Sequence, residues 1–374
     1  MKILYVSTIS NTINAFLIPH IELLIKQGHE VDIACNLVQE ISPELLELGC
    51  KVHKIEFQRS PFKKDNYMAY QKIKALALFG GYDLVHTHTP VASFLTRLAC
   101  RNITKVKVLY TAHGFHFYKG APLKNWLIYY PIEKLAARWT DGLLTMNEED
   151  FKIANKMKLR KANAVYKVNG VGIDLRKFAP QTPEKKKELR KEYGYTDDDF
   201  ILMYAAELNY NKHQDLLINA VKLVRNKLPQ IKLLLVGSGS LAEQYMKRVK
   251  KLNLEKNVQF LGYRDDIANL LLISDLAVSS SRREGLPVNV MEAMATGLPL
   301  MVTDCRGNRD LVSDGENGYV VGIDDALGFA RMIEKLYHSA KLRQSFAEKS
   351  LNLVKVYSLD KVKEEMKEIY AHYL

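Results

Sequence analysis

Cysteine is scarce: Cys35, Cys50, Cys100 and Cys305 are the only four in 374 residues, and they stand apart with no CxxC pair and no His/Cys spacing that suits zinc. Neither a disulfide framework nor a structural metal is expected, and a reducing cytosol fits this usage. No apolar run approaches the length of a membrane span. The opening "MKILYVSTIS" has one lysine before a short run that contains Tyr and ends in Ser and Thr, which suits a buried first strand better than a signal peptide. A soluble or peripherally bound protein is expected. RNP-type aromatic motifs, zinc fingers and a long basic tail are all missing, so nucleic acid is not an expected partner. No G-x-G-x-x-G follows the first apolar run, which argues against a dinucleotide oxidoreductase.

Positive charge, by contrast, is plentiful. The formal net charge is +12, which suits an anionic membrane surface or a phosphorylated substrate as well as dispersed solubilising charge. With 47% hydrophobic residues the chain can bury ample core, and its length favours two domains.

Short apolar runs alternate with segments of helical period: "KILYVST", "EVDIACN", "KVHKIEF", "DLVHTHT", "VKVLYTAHG", "GLLTMN" and "AVYKVNG". Nearly continuous apolar strands between helices imply a parallel sheet covered on both faces. After a stretch of proline and charge around Phe178 to Glu188, which reads as a linker, the alternation restarts with "FILMYAAEL", "IKLLLVGSGS", "NVQFLGY", "DLAVSSS", "PLMVTD" and "GYVVG". The expected fold class is α/β, with two Rossmann-like, doubly wound domains over 1–178 and 179–357. A terminal helix of about 358–374, with Val362, Met366, Ile369 and Tyr370 in one stripe, is a candidate to pack back on the first domain.

Ligands of such sheets sit beyond the carboxyl ends of the strands, so the loops that follow each strand deserve inspection. The richest is "SRREGLPVNVMEAMATGLPLMVTD". Pro287 suits the first position of a helix closed by Gly297, and the free amides of Leu286, Val288 and Asn289, next to Gly285, would then bind phosphate oxygens. Glu292, about a turn inside, can accept hydrogen bonds from vicinal ribose hydroxyls, and Glu284, outside the helix, can reach what the phosphate carries. Each acid also has a plain reading, Glu284 as a helix-dipole partner and Glu292 as a chance polar position.

The E-x7-E spacing followed by "AMATGLPLMVTD" resembles glycosyltransferase family 4, retaining nucleotide-sugar transferases of the GT-B fold, in which two Rossmann-like domains face a cleft. "KILYVST" with "LIKQGHEVDIAC", "YKVNGVGID" and "LLLVGSGS" are similar to further segments of that family, and "TAHGFHFYKGAPLKNWLIYYPIEKLAARW" resembles its capsular and exopolysaccharide branch. The resemblance implies an acceptor-binding first domain and a second domain that binds the nucleotide sugar. It implies His113 in "TAHG" as the catalytic histidine that hydrogen-bonds the donor sugar, with His116, His86 and His88 nearby. It implies Lys212 as the lysine of the phosphate clamp, where Glu207 replaces the usual arginine and Arg282, Arg283 and Arg264 are candidate replacements. It also makes Tyr263 and Arg264, in "GYRDDI", neighbours of a uracil, with a simple exposed turn as the alternative. The glycine pair common after the family's first strand is missing from "STISNTINAF".

Both tryptophans, Trp126 and Trp139, lie in the stretch that also holds Lys119, Lys124, Lys134 and Arg138. Mixed aromatic and basic residues suit an anionic lipid interface, with Trp126, Lys124 and Lys134 as the anchors, joined by the basic "QRSPFKKDNYMAYQKIK"; a packed helix with a solvated face is the alternative. The expectation is a UDP-sugar-dependent, metal-independent, retaining transferase without a cofactor, with Glu284 and His113 as catalytic residues. Its domains would close on the donor, and its acceptor would be a lipid-linked, polyprenyl-diphosphate saccharide at the inner face of the plasma membrane. A UDP-sugar 2-epimerase and a non-catalytic sugar-binding protein are the alternatives.

Overall fold

The computed structural model describes residues 1–58, 60 and 63–374, and the chain divides into two compact units, Met1–Val171 with Asp360–Leu374, and Gly172–Leu359. The first unit holds seven strands: β1 Lys2–Ile9, β2 Glu30–Asn36, β3 Val52–Lys54, β4 Leu84–His88, β5 Lys107–Ala112, β6 Gly142–Thr145 and β7 Val165–Lys167. They form one sheet in the order β3-β2-β1-β4-β5-β6-β7, and every pairing is parallel. Helices cover both faces, which is why β1 and β4 are buried along nearly their whole length and read as unbroken apolar runs. Register brings Tyr5 beside His86 and His88 beside Thr111, so the ends of β1, β4 and β5 gather their polar side chains together.

The second unit holds β8 Phe200–Ala205, β9 Ile231–Val236, β10 Val258–Gly262, β11 Leu276–Ser279, β12 Leu300–Thr303 and β13 Gly318–Val321. Their order, β10-β9-β8-β11-β12-β13, is again all parallel, with the reversal of strand order at β8 and β11. Leu202, Leu217, Val221, Leu233, Phe329 and Ile333 belong to its core, where each fully buried side chain is worth about 1.5–3 kcal/mol relative to exposure.

Two boundaries differ from the sequence expectation. The units divide at Val171 and Gly172, so 172–178 belongs with the second unit. The stretch read as a linker is partly the helix Pro183–Glu192, whose Thr182 cap accepts from Lys185 N. Lys186 and Arg190 fasten it to Asp275, each at 2.7 Å. The terminal helix Leu359–Tyr370 is joined to the first unit: Tyr370 bonds Tyr5, and Glu365 accepts from Asn169 N at 3.0 Å.

Candidate functional site

In the second unit three loops, after β8, β11 and β12, meet at the strand ends. The helix after β11 runs Val288–Ala295, and Pro287 is its cap (φ −74°, ψ 118°) rather than its first residue. The correction leaves the chemistry intact, because the first helical amides still lack acceptors within the helix.

Lys212, on the loop after β8, donates from Nζ to Glu284 Oε1 at 2.5 Å, and Ser281 Oγ donates to the same oxygen at 2.5 Å. Tyr204 holds Ser281 in turn, hydroxyl to hydroxyl at 2.7 Å. The loops interlock through their backbones: Arg282 N donates to Asn211 O (2.8 Å), Asn211 Nδ2 to Arg283 O (3.0 Å) and Ser280 Oγ to Lys212 O (2.8 Å). From the loop after β12, Arg306 Nε donates to Glu284 O at 2.9 Å. Gly307 beside it has φ +77°, and a Cβ there would lie 2.4 Å from Gly285 O, so only glycine lets this loop approach. Sequence reading missed Ser281, Asn211, Arg306 and Gly307; a glycine just past a strand was the available signal for the last.

Burial alone would pull the Lys212 ammonium down, but the Glu284 charge beside it overrides this and holds it above the ordinary lysine range. Lys212 is therefore a protonated cation at neutral pH. Glu292 differs: burial pushes its carboxyl up to about 7, with Lys177 pulling weakly the other way. It borders a cavity lined by Met203, Ala205, Ile267, Leu271 and Asn289. Such an acid sits at the edge of ionisation and gains from hydroxyl donors that enter beside it.

The candidate replacements for the missing arginine are now distinct. The Glu207 side chain is exposed. Arg264 is tied to Asp266 at 2.8 and 2.5 Å, and neighbouring Tyr263 is 79% exposed. Arg282 is committed to Asp324 (2.9 Å), to His213 (3.0 Å) and to the Tyr210 ring. Arg283 makes no side-chain hydrogen bond or ion pair among the described residues, while its carbonyl is fixed by Asn211.

In the first unit His113 follows β5, and its Nε2 lies 3.1 Å from His88 Nδ1. His86 bridges Tyr370 (Nδ1 to the hydroxyl, 2.7 Å) and Thr111 (Nε2 to Oγ1, 2.8 Å), and His20 Nε2 donates to Val171 O at 3.0 Å. Burial lowers His113 and His20 to about 4 and His86 to about 3, with the neighbouring imidazoles adding to the fall for His113 and His86. The rings are neutral at physiological pH and act as hydrogen-bonding groups. Among the described residues His20 Nδ1 and His88 Nε2 are buried without a partner, and both rings border a cavity that His113, Met146, Gly170 and Met366 also line. The His116 ring lies 5.0 Å from that of Tyr129. Among the described residues no group of three or more His, Cys, Asp or Glu side chains is placed to hold a metal ion.

Of the three residues expected as lipid anchors, Lys124 and Lys134 are exposed, but Trp126 does not face outward. Its indole packs on Phe117 and Tyr130 and donates to Tyr118 O at 3.2 Å, because the aromatic side of this helix faces the core. The companion basic stretch runs through Arg59, Pro61 and Phe62, which lie outside the described residues.

Comparison with known proteins gives two family matches: "Glycosyl transferases group 1" over residues 185–352 and "Glycosyl transferase 4-like" over residues 2–147. Bacillus subtilis EpsD, whose name carries a glycosyltransferase assignment, is 40% identical over 375 residues, 100% of this chain and 97% of its own length. The Escherichia coli UDP-Gal:alpha-D-GlcNAc-diphosphoundecaprenol alpha-1,3-galactosyltransferase is 29% identical over 77% of this chain and 75% of its own. Among solved structures, Anabaena HepE in complex with UDP-glucose superposes with a TM-score of 0.79 at 19% identity, covering 100% of both chains.

Proposed function

The chain belongs to the group 1, family 4-like glycosyltransferases of the GT-B fold, and from that premise we propose that it moves a hexose or N-acetylhexosamine from a UDP-sugar to a lipid-linked saccharide, with retention of configuration, in cell-surface polysaccharide synthesis. The observation that carries this reading is the half-buried, protonated Lys212 held against Glu284 beside the start of the helix Val288–Ala295. A lysine and free helix amides in one place suit a diphosphate, and a carboxylate next to them suits the sugar that the diphosphate carries. The Escherichia coli relative takes UDP-Gal and a diphosphoundecaprenol-linked sugar, and the HepE structure holds UDP-glucose, which supports UDP and a lipid carrier for this chain as well.

In the proposed reaction the bond from the sugar C1 to the β-phosphate oxygen breaks, and its electron pair leaves with UDP. The acceptor hydroxyl oxygen bonds to C1 from the same face, and its proton passes to the departing phosphate oxygen. Lys212 and the amides of Leu286, Val288 and Asn289, beside Gly285 and Pro287, stabilise the charge on the diphosphate, which is the step where preorganised donors lower the barrier most. Arg283, whose guanidinium is unengaged among the described residues, is the cation we assign in place of the family arginine. Glu284 holds a hydroxyl of the donor sugar as positive charge grows on it, Glu292 accepts from the ribose, and the neutral His113 ring is suited to hydrogen-bond a sugar hydroxyl. Tyr263 and Arg264 neighbour the base. No metal or cofactor takes part. The described residues contain no helix long and apolar enough to cross a membrane. In this reading the enzyme meets its lipid-linked acceptor as a peripheral protein at the inner face of the plasma membrane.

The test is a thermal-shift panel of UDP-sugars followed by transfer to a diphosphoundecaprenol-linked sugar. One UDP-sugar should raise the midpoint by mass action and be consumed only when the acceptor is present. Conversion of a UDP-sugar without acceptor, or the same midpoint with every nucleotide, would overturn the assignment.

A further inference from the structure

The helix Leu123–Ala137 has two apolar sides and only one of them reaches a core. On the inner side Trp126 and Tyr130 join the cluster of Phe115, Phe117 and Leu143, and Ala136 and Ala137 are fully buried. Glu133 on the same side is ion-paired with buried Arg97, whose guanidinium lies over the Tyr110 ring at 4.1 Å. The orientation of the helix is therefore fixed from within.

The outer side remains open. Leu123 is 73% exposed, Leu127 67%, Ile128 50%, Ile132 42% and Leu135 45%. At 100° per residue these five lie within one half of the helix circumference, opposite Trp126, Tyr130 and Glu133. A single exposed leucine calls for no explanation, but five bulky aliphatic side chains on one face mark a surface that something covers.

The charges around this face indicate what covers it. Lys119, Lys124, Lys134 and Arg138 are exposed at its ends and edges, and the helix has one acid, Glu133, which is turned inward on Arg97. An apolar face on a helix whose outward charges are all positive matches the acyl boundary and headgroups of an anionic bilayer. A second copy of the chain fits less well, because a two-fold contact would set these cations against one another.

We propose that this helix is the membrane-contacting surface of the protein and that its occupant is an anionic lipid bilayer. Leu123, Leu127, Ile128, Ile132 and Leu135 enter the acyl boundary, Lys124 and Lys134 hold headgroups, and Trp126 stays in the core as the strut behind them. The purpose of the contact rests on the transferase reading, since a lipid-linked acceptor is confined to a membrane; the surface itself does not.

The experiment is flotation of the full chain with phosphatidylcholine vesicles, with and without phosphatidylglycerol, with UDP binding followed in parallel. The protein should float with the phosphatidylglycerol vesicles and be released by salt. Leu127→Gln/Ile132→Gln/Leu135→Gln, all at exposed positions, should lower partitioning by about tenfold or more without changing the thermal midpoint in UDP. Lys124→Gln and Lys134→Gln should each lower it about fivefold. Flotation that ignores phosphatidylglycerol, or that survives the triple substitution, overturns the proposal, as does a dimer in solution that the triple substitution dissolves. Flotation that is kept while no UDP-sugar binds would sink the transferase reading and leave the lipid surface standing.

Discussion

The two units bury polar groups in opposite ways. In the first, His20, His86, His88 and His113 pack as neutral rings whose partners are one another, a tyrosine hydroxyl, a threonine and a carbonyl. In the second, a lysine and a glutamate share a pocket at 2.5 Å, with the lysine held firmly protonated. Neutral rings suit hydroxyls, and a half-buried cation suits an anion. In the proposed reading the nucleotide diphosphate meets the second unit and His113 meets a sugar hydroxyl.

The sharpest way to break this contrast is to remove charge from the second unit. Lys212→Met should cut turnover by about 10²–10³-fold, the usual consequence of losing a group that stabilises transition-state charge, and should weaken UDP binding as well. Glu284→Gln should separate the two functions. It frees Lys212 from a competing carboxylate, so UDP should bind several-fold more tightly while transfer falls about 10²-fold. Calorimetric titration of UDP with initial-rate kinetics reads both. Tighter binding with wild-type turnover would remove Glu284 from the chemistry, and weaker UDP binding by Glu284→Gln would remove the lysine from the phosphate.

Titration sharpens the same contrast, because the two units respond to acid with opposite signs. His113 has its folded value lowered from 6.5 to about 4, so between these the unfolded chain holds the extra proton and stability rises with pH across that window. Glu292 has its value raised from 4.5 to about 7, so the folded chain holds the proton; the cost of burying this acid is absent below 4.5 and is felt fully above about 7. At about 1.4 kcal/mol per unit, each group contributes up to about 3 kcal/mol. Denaturant midpoints followed from pH 4 to 8 should therefore show a gentler acid limb in His113→Gln and a gain above neutrality in Glu292→Gln. UDP should also bind wild type more tightly as pH rises through about 7 and lose that slope in Glu292→Gln. A Glu292→Gln variant that tracks wild type at every pH would mean that this carboxyl is well solvated.

Strands were legible in the sequence because a parallel strand covered on both faces has to be apolar throughout, and all thirteen apolar runs hold one. The E-x7-E block was legible because its spacing lies within one loop and one helix. What stayed hidden depends on neighbours far along the chain. "TPEKKKELRKE" is a helix because Lys186 and Arg190 find Asp275, although Thr182 and Pro183 already spelled a helix start. Trp126 faces inward on a helix whose two sides are both apolar, so periodicity could not say which side meets the core. Gly307 matters only because the loop after β12 runs against Gly285.

The stripe Val362, Met366, Ile369 and Tyr370 is buried as its spacing required, yet nothing in that spacing says that the Tyr370 hydroxyl ends on Tyr5 and on His86. Tyr370→Phe keeps the packing and removes both bonds, leaving the buried His86 Nδ1 without its partner. The expected cost is about 1–2 kcal/mol of stability, the smallest of these effects, read as a shift in denaturant midpoint with an unchanged slope. If the terminal helix only closes the core, turnover of the folded fraction should match wild type. A fall in turnover beyond the unfolded fraction, with donor affinity unchanged, would mean that Tyr370 orders the imidazoles through His86, and that the neutral rings of the first unit act as one hydrogen-bonded unit rather than as His113 alone.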